Sequence, residues 1–157
     1  TFFMATQLQS LDLTSWDVSS THNFACMFQE CPSLKNLNIR GWSAHPDKAG
    51  LFGMFFDCLS LQSLDLSGFN LASAGTANKM FGRCQSLSKV SLGLNWKWVI
   101  CDDGEGTNSY LPKPTADSIP GADGKWYSVS TGKGYVPQDI PSNTADTYVA
   151  SRGTLAR

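Results

Sequence analysis

One phrase returns along this chain about every 26 residues. Met27-Phe28-Gln29-Glu30-Cys31-Pro32-Ser33-Leu34 recurs as Met54-Phe55-Phe56-Asp57-Cys58-Leu59-Ser60-Leu61 and again as Met80-Phe81-Gly82-Arg83-Cys84-Gln85-Ser86-Leu87. Each copy leads into a strand-like tail, Leu37-Asn38-Ile39, Leu64-Asp65-Leu66 and Val90-Ser91-Leu92, and an earlier tail, Leu8 to Leu13, lies one period upstream. A period of this length means one small unit per repeat, unable to bury its apolar face alone and therefore stacked on its neighbours.

Within each tail the residues alternate, which sends Leu11 and Leu13 to one side and Ser10, Asp12 and Thr14 to the other. The same reading places Ser10, Asp12, Asn36, Asn38, Arg40, Ser63, Asp65, Ser67 and Lys89 on one wet, nearly neutral face, the candidate interaction surface. The Met-Phe-x-x-Cys phrase spaces its apolar groups by one and four, which predicts a short helix or helical turn behind the strands. With leucines in an L-x-x-L-x-L frame, the expected fold is α/β: a leucine-rich repeat solenoid whose short parallel sheet is backed by short helices or turns. It divides into repeats over 1–94, about three and a half units, and a small β-rich C-terminal cap over 95–157. Thr1-Phe2 stands where later units read Met-Phe, so the first unit is expected to be truncated and its apolar end open.

Trp16, Trp42 and Phe69 share a register three residues beyond the last strand leucine. Such a column suits a sugar platform, but filling the turn behind each strand is the commoner use of aromatics. Ser43 to Gly53 and Ala72 to Asn78 are expected loops. In the C-terminal part, 102–124 reads as a long loop. Lys125-Trp126-Tyr127-Ser128-Val129 and Gly134-Tyr135-Val136 read as a hairpin around Ser130 to Lys133, and Ser142 to Val149 as a short capped helix or an extended tail.

Twelve basic against thirteen acidic residues, net charge -1, leave no basic field for nucleic acid or a membrane surface. No apolar run of spanning length occurs, and residues 1–20 lack a signal-peptide pattern, so any signal or anchor is expected elsewhere in a longer protein. Cys31, Cys58 and Cys84 hold one register with parallel Cβ vectors, which predicts free buried thiols rather than a disulfide. No close ligand pair accompanies the two histidines, His22 and His45, so no metal and no cofactor is expected. Asp102, Asp103 and Glu105 form an acidic turn without the spacing of a calcium loop. A cysteine nucleophile would need His22 or His45 as base and a third, orienting group; Cys26 near His22 lacks one, so no enzyme is expected and no catalytic residue is assigned.

Met54 to Phe69 (MFFDCLSLQSLDLSGF) resembles the unit of the BspA-like leucine-rich repeat family of bacterial surface proteins, M-F-x-x-C-x-S-L-x-x-L-D-L-S-x-F, at every defined place. Met27 to Trp42 keeps that frame with Asn38, Arg40 and Trp42 substituted, and Met80 to Leu92 keeps its first half. The resemblance implies a secreted or wall-attached adhesion module that binds host or bacterial extracellular proteins and is not an enzyme. It carries no ligand residue over to this chain. Two other functions stand beside it: glycan binding by Trp96, Trp98, Trp126, Tyr127 or Tyr135, and a structural spacer within a larger surface protein.

Overall fold

The computed structural model describes residues 2–43, 50–71, 76–99 and 109–153. His45, Cys101, Asp102, Asp103, Glu105 and most of the two expected repeat loops lie outside the described residues.

Alternating tails become strands: β1 (Ser10–Asp12), β2 (Asn36–Asn38), β3 (Ser63–Leu66) and β4 (Lys89–Leu92). All four run parallel in sequence order, with Ser10 beside Asn36, Asn36 beside Ser63 and Ser63 beside Lys89. Leu37, Leu64, Leu66, Val90 and Leu92 face the core, which is what fixes a single register along the row.

The opposite wall is not helical. The N–H groups of Met27, Met54 and Met80 close turns onto the carbonyls of Phe24, Leu51 and Ala77, while those of Phe28 and Phe55 cross to the carbonyls of Met54 and Met80 in the next unit. Cys58 and Cys84 close further turns onto Phe55 and Phe81. Such alternation leaves no N–H for the i→i−4 bond of an α-helix. It also requires left-handed backbone at fixed places: Cys26, Gly53 and Lys79 at one register and Glu30, Asp57 and Arg83 at another all have φ between 57° and 63°.

Expectation and structure therefore part here. Among the described residues there is no α-helix; the named helical element is a 3-10 turn at Pro137–Asp139. The fold is a seven-stranded mixed β-sheet, not an α/β leucine-rich repeat solenoid. Apolar spacing of one and four serves consecutive turns as well as it serves a helix, which is why the phrase misleads.

Between the two walls runs an aromatic stack. Phe2, Phe28, Phe55 and Phe81 lie ring over ring at 5.6, 5.8 and 5.8 Å with planes within 12° of parallel. Beside it Cys31, Cys58 and Cys84 are free and fully buried, each thiol donating to a carbonyl one unit back: Phe2 at 3.0 Å, Phe28 at 3.1 Å and Phe55 at 3.0 Å. Trp42 and Phe69 fill the turns behind their strands, and Trp42 Nε1 donates to Leu13 O. Trp16, at the end of the row, is exposed.

The C-terminal part joins the same sheet. β5 (Trp126–Ser128) and β6 (Gly134–Tyr135) pair antiparallel. β7 (Asp146–Val149) lies antiparallel between β4 and β5, giving the order β1-β2-β3-β4-β7-β5-β6. The segment expected as a capped helix or a tail is thus an interior strand. Half-buried Asp146 holds it: Asp146 Oδ2 accepts from the hydroxyls of buried Ser128 and of Ser130, and Asp146 Oδ1 from the Thr147 N–H.

Candidate interaction surface

The outward side chains of β1–β4 stand in columns, one residue per strand and strands about 4.8 Å apart. Ser10, Asn36, Ser63 and Lys89 form the first column, all exposed. None of their side chains makes a hydrogen bond within the described residues, so their polar groups face solvent. Asp12, Asn38, Asp65 and Ser91 form the second, continued on β7 by Thr147, whose hydroxyl lies 2.8 Å from that of Ser91.

The second column is largely committed to its own backbone. Asp12 Oδ1 accepts the N–H of Thr14 at 3.0 Å and its hydroxyl at 2.6 Å; Asp65 Oδ1 accepts the same pair from Ser67 at 3.0 and 2.5 Å; Asn38 Oδ1 accepts the Arg40 N–H at 3.2 Å. These Asx turns end each strand where its inward leucine has been buried. The hydroxyl and N–H of Thr14 hold the Asp12 carboxyl below its ordinary pKa. Arg40 leans on Asp65 Oδ2 at 3.8 Å, an exposed pair of small energetic weight. What remains open on this column is one carboxylate oxygen of Asp12 and the amide N–H groups of Asn38, while the second oxygen of Asp65 faces only Arg40.

All nine expected surface residues are therefore on or beside one face, but they divide by task. Ser10, Asn36, Ser63 and Lys89 are exposed with no side-chain hydrogen bond among the described residues, while Asp12, Asn38 and Asp65, with Ser67, mainly shape the strand ends. A shallow trough over β1–β3 is lined by Ser10, Asp12, Asn36, Asn38, Ser63 and Asp65. The turn partner Thr14 and a further Asx turn, Asp17 to Ser19, are not among the nine expected positions. The recurring Asp-x-Ser/Thr spacing was the signal for both. Sequence reasoning passed over a cleft where Ser88 and Lys89 meet Ile119, Pro120 and Val149, since nothing local in the sequence brings those segments together.

Most C-terminal aromatics are occupied by packing. Trp96, Trp126 and Tyr127 are buried; Trp98 Nε1 donates to Ile140 O at 2.7 Å, Trp126 Nε1 to Pro112 O at 2.9 Å, and the Tyr127 hydroxyl to Asp123. Tyr135 is half-buried against Tyr148. Burial pushes the Cys58 thiol up to about 12 and Cys31 and Cys84 in the same direction, away from the thiolate a nucleophile needs. Among the described residues no three His, Cys, Asp or Glu side chains are placed to hold a metal ion, and no helix is long and apolar enough to cross a membrane.

Residues 1–100 match the model of the family described as "Mycoplasma protein of unknown function, DUF285". This match corrects the resemblance to the BspA-like leucine-rich repeat family: the phrase built on Met54 to Phe69 is shared as a pattern, while the matching family is a different one. No curated protein and no solved structure matches the chain.

Proposed function

We propose, for a chain that belongs to the DUF285 family, a non-enzymatic binding module that engages another protein through the outer face of β1–β4. The observation that carries this reading is the division of that face. One column is fixed by Asx turns and the adjacent one, Ser10, Asn36, Ser63 and Lys89, offers unengaged polar groups at strand spacing. A rigid scaffold with free groups loses little entropy on docking. The nearly neutral charge supports a partner recognised by hydrogen bonding and shape rather than by a strong field. The extracellular location implied by the former resemblance has no residue of its own behind it, and the reading holds wherever the protein resides.

The test is a binding screen of the protein against immobilised extracellular-matrix proteins, mucins and a glycan array. Ser10→Arg with Ser63→Arg is the comparison, because both positions are exposed and neither supports a turn. Protein binding abolished in the double variant, with an unchanged melting curve, supports the face. Binding that survives the double variant moves the site elsewhere, and a response confined to glycans removes the protein partner.

A further inference from the structure

Residues opposite one another on neighbouring strands put their side chains on the same side of a sheet. The first outer column, Ser10, Asn36, Ser63 and Lys89, therefore continues on β7 as Val149, the partner of Lys89. Ser63 and Lys89 are exposed, whereas Val149 is only 7% exposed. The open face thus ends in a step one strand beyond Lys89. Ile119 and Pro120 stand at this step, carried on a turn in which the Ile119 N–H returns to Thr115 O, together with Ser151 just after β7.

The cleft at the step holds about 510 Å³, within the range of ~300–1,000 Å³ usual for ligand sites. Ile119, Pro120 and Val149 give it an apolar wall, and among the described residues that line it Lys89 is the one that carries a charge. The Lys89 ammonium has no ion pair or hydrogen bond among the described residues. Ser63 lines both this cleft and the trough over β1–β3, so the two run into each other. The charged groups lining the trough have the opposite sign, Asp12 and Asp65, and Asp12 keeps one oxygen open. One groove therefore passes from carboxylates over β1–β3 to an ammonium and an apolar wall at β4.

We propose that this groove takes the C-terminal end of an extended peptide. Its free carboxylate sits on Lys89, its last side chain is apolar and lies against Ile119, Pro120 and Val149, and the residues before it cross Ser63 and the trough. This occupant rests on the reading that the outer face binds protein, and it specifies which part of a protein is bound. Charge order sets the direction: a carboxylate end is attracted at Lys89 and repelled at Asp12 and Asp65. The step selects a chain end, because a segment continuing past Lys89 meets the wall over Val149, and an internal acidic side chain obliges its backbone to leave the face again. From β1 to β4 is three strand spacings, about 14 Å, which about four extended residues cover.

Fluorescence anisotropy of the full chain with N-terminally labelled pentapeptides tests this. The peptides are random in the first four places and end in valine or leucine, in one pool with a free carboxylate and in another with a C-terminal amide. The free pool should bind about tenfold more tightly than the amide pool, and a free pool ending in serine more weakly than one ending in valine or leucine. Lys89→Met, which keeps the stem and removes the charge, should erase the preference for the carboxylate at unchanged Tm, while Lys89→Arg retains it. Equal affinity of the free and amide pools, binding of neither, or a preference that survives Lys89→Met overturns the proposal. N-acetyl-valine competing as well as a free pentapeptide also overturns it, by reducing the occupant to a small apolar acid. Failure of the face itself is read separately, from a protein ligand of the screen that still binds the Ser10→Arg, Ser63→Arg variant.

Discussion

Gly93→Ala is the substitution that most directly probes how closely the units approach. A Cβ built at Gly93 lies 2.0 Å from the backbone oxygen of Ser67, whereas real Cβ contacts stay beyond about 3.0 Å. The carboxyl ends of β3 and β4 must therefore part by roughly 1 Å. Overpacking of this kind costs about 1–3 kcal/mol. The rung between Leu66 and Leu92 is then weakened as well, adding about 1 kcal/mol for a lost hydrogen bond. An overall loss of about 3 kcal/mol against a typical stability of ~5–15 kcal/mol moves a urea midpoint by about 1.5 M at a slope near 2 kcal/mol/M. Urea titration followed by tryptophan fluorescence measures it. Two internal references order the result. Gly68→Ala meets Trp42 O at 2.9 Å and should cost less. Gly132→Ala has φ +78° and nothing within 4 Å, so it costs only the backbone term of about 1 kcal/mol. A Gly93→Ala midpoint at or above that of Gly132→Ala would refute the close approach of the two strands.

Phe55→Ala removes the middle ring of the stack from a fully buried site and should cost about 3–5 kcal/mol; because each unit packs only on its neighbours, hydrogen exchange should rise in the flanking units too. Asp146→Ala strips the acceptor from Ser128, Ser130 and Thr147 and should cost about 1–3 kcal/mol, with Asp146→Asn milder, by thermal melting. Cys58 ionises near 9 when unfolded but only at about 12 when folded. Stability is then fully present below pH 9 and declines as pH rises toward 12, by at most about 1.4 kcal/mol per pH unit per thiol; Cys84 acts in the same direction. Urea midpoints at pH 8 and 10.5 would test this, and a Cys58→Ala variant with an undiminished pH slope would count against it.

How much could be read from the chain depends on the wall considered. The alternation of Leu11 and Leu13 against Ser10 and Asp12 marked β1 and its partners because one face is buried and the period of two has no rival. The turn wall was misread because Met-Phe-x-x-Cys states only which side chains go inside, not how the backbone reverses. The left-handed positions that decide it carry Cys26, Gly53 and Lys79, or Glu30, Asp57 and Arg83, and only Gly53 among them advertises positive φ. Strand β7 escaped for a different reason: Asp146 to Val149 gains its place from β4 and β5, both distant in sequence. On the surface, the nine positions were identifiable from alternation, but their division into turn formers and free groups required knowing where Asp12, Asn38 and Asp65 spend their hydrogen bonds.

The thiol column carries a consequence for where such a chain can fold. Cys31, Cys58 and Cys84 bind successive units through weak bonds to carbonyls, with no covalent link among the described residues and with the reactive thiolate form suppressed. The same stack should assemble under reducing and oxidising conditions alike. Redox environment, which decides the fate of many small cysteine-bearing domains, becomes a neutral variable for these units.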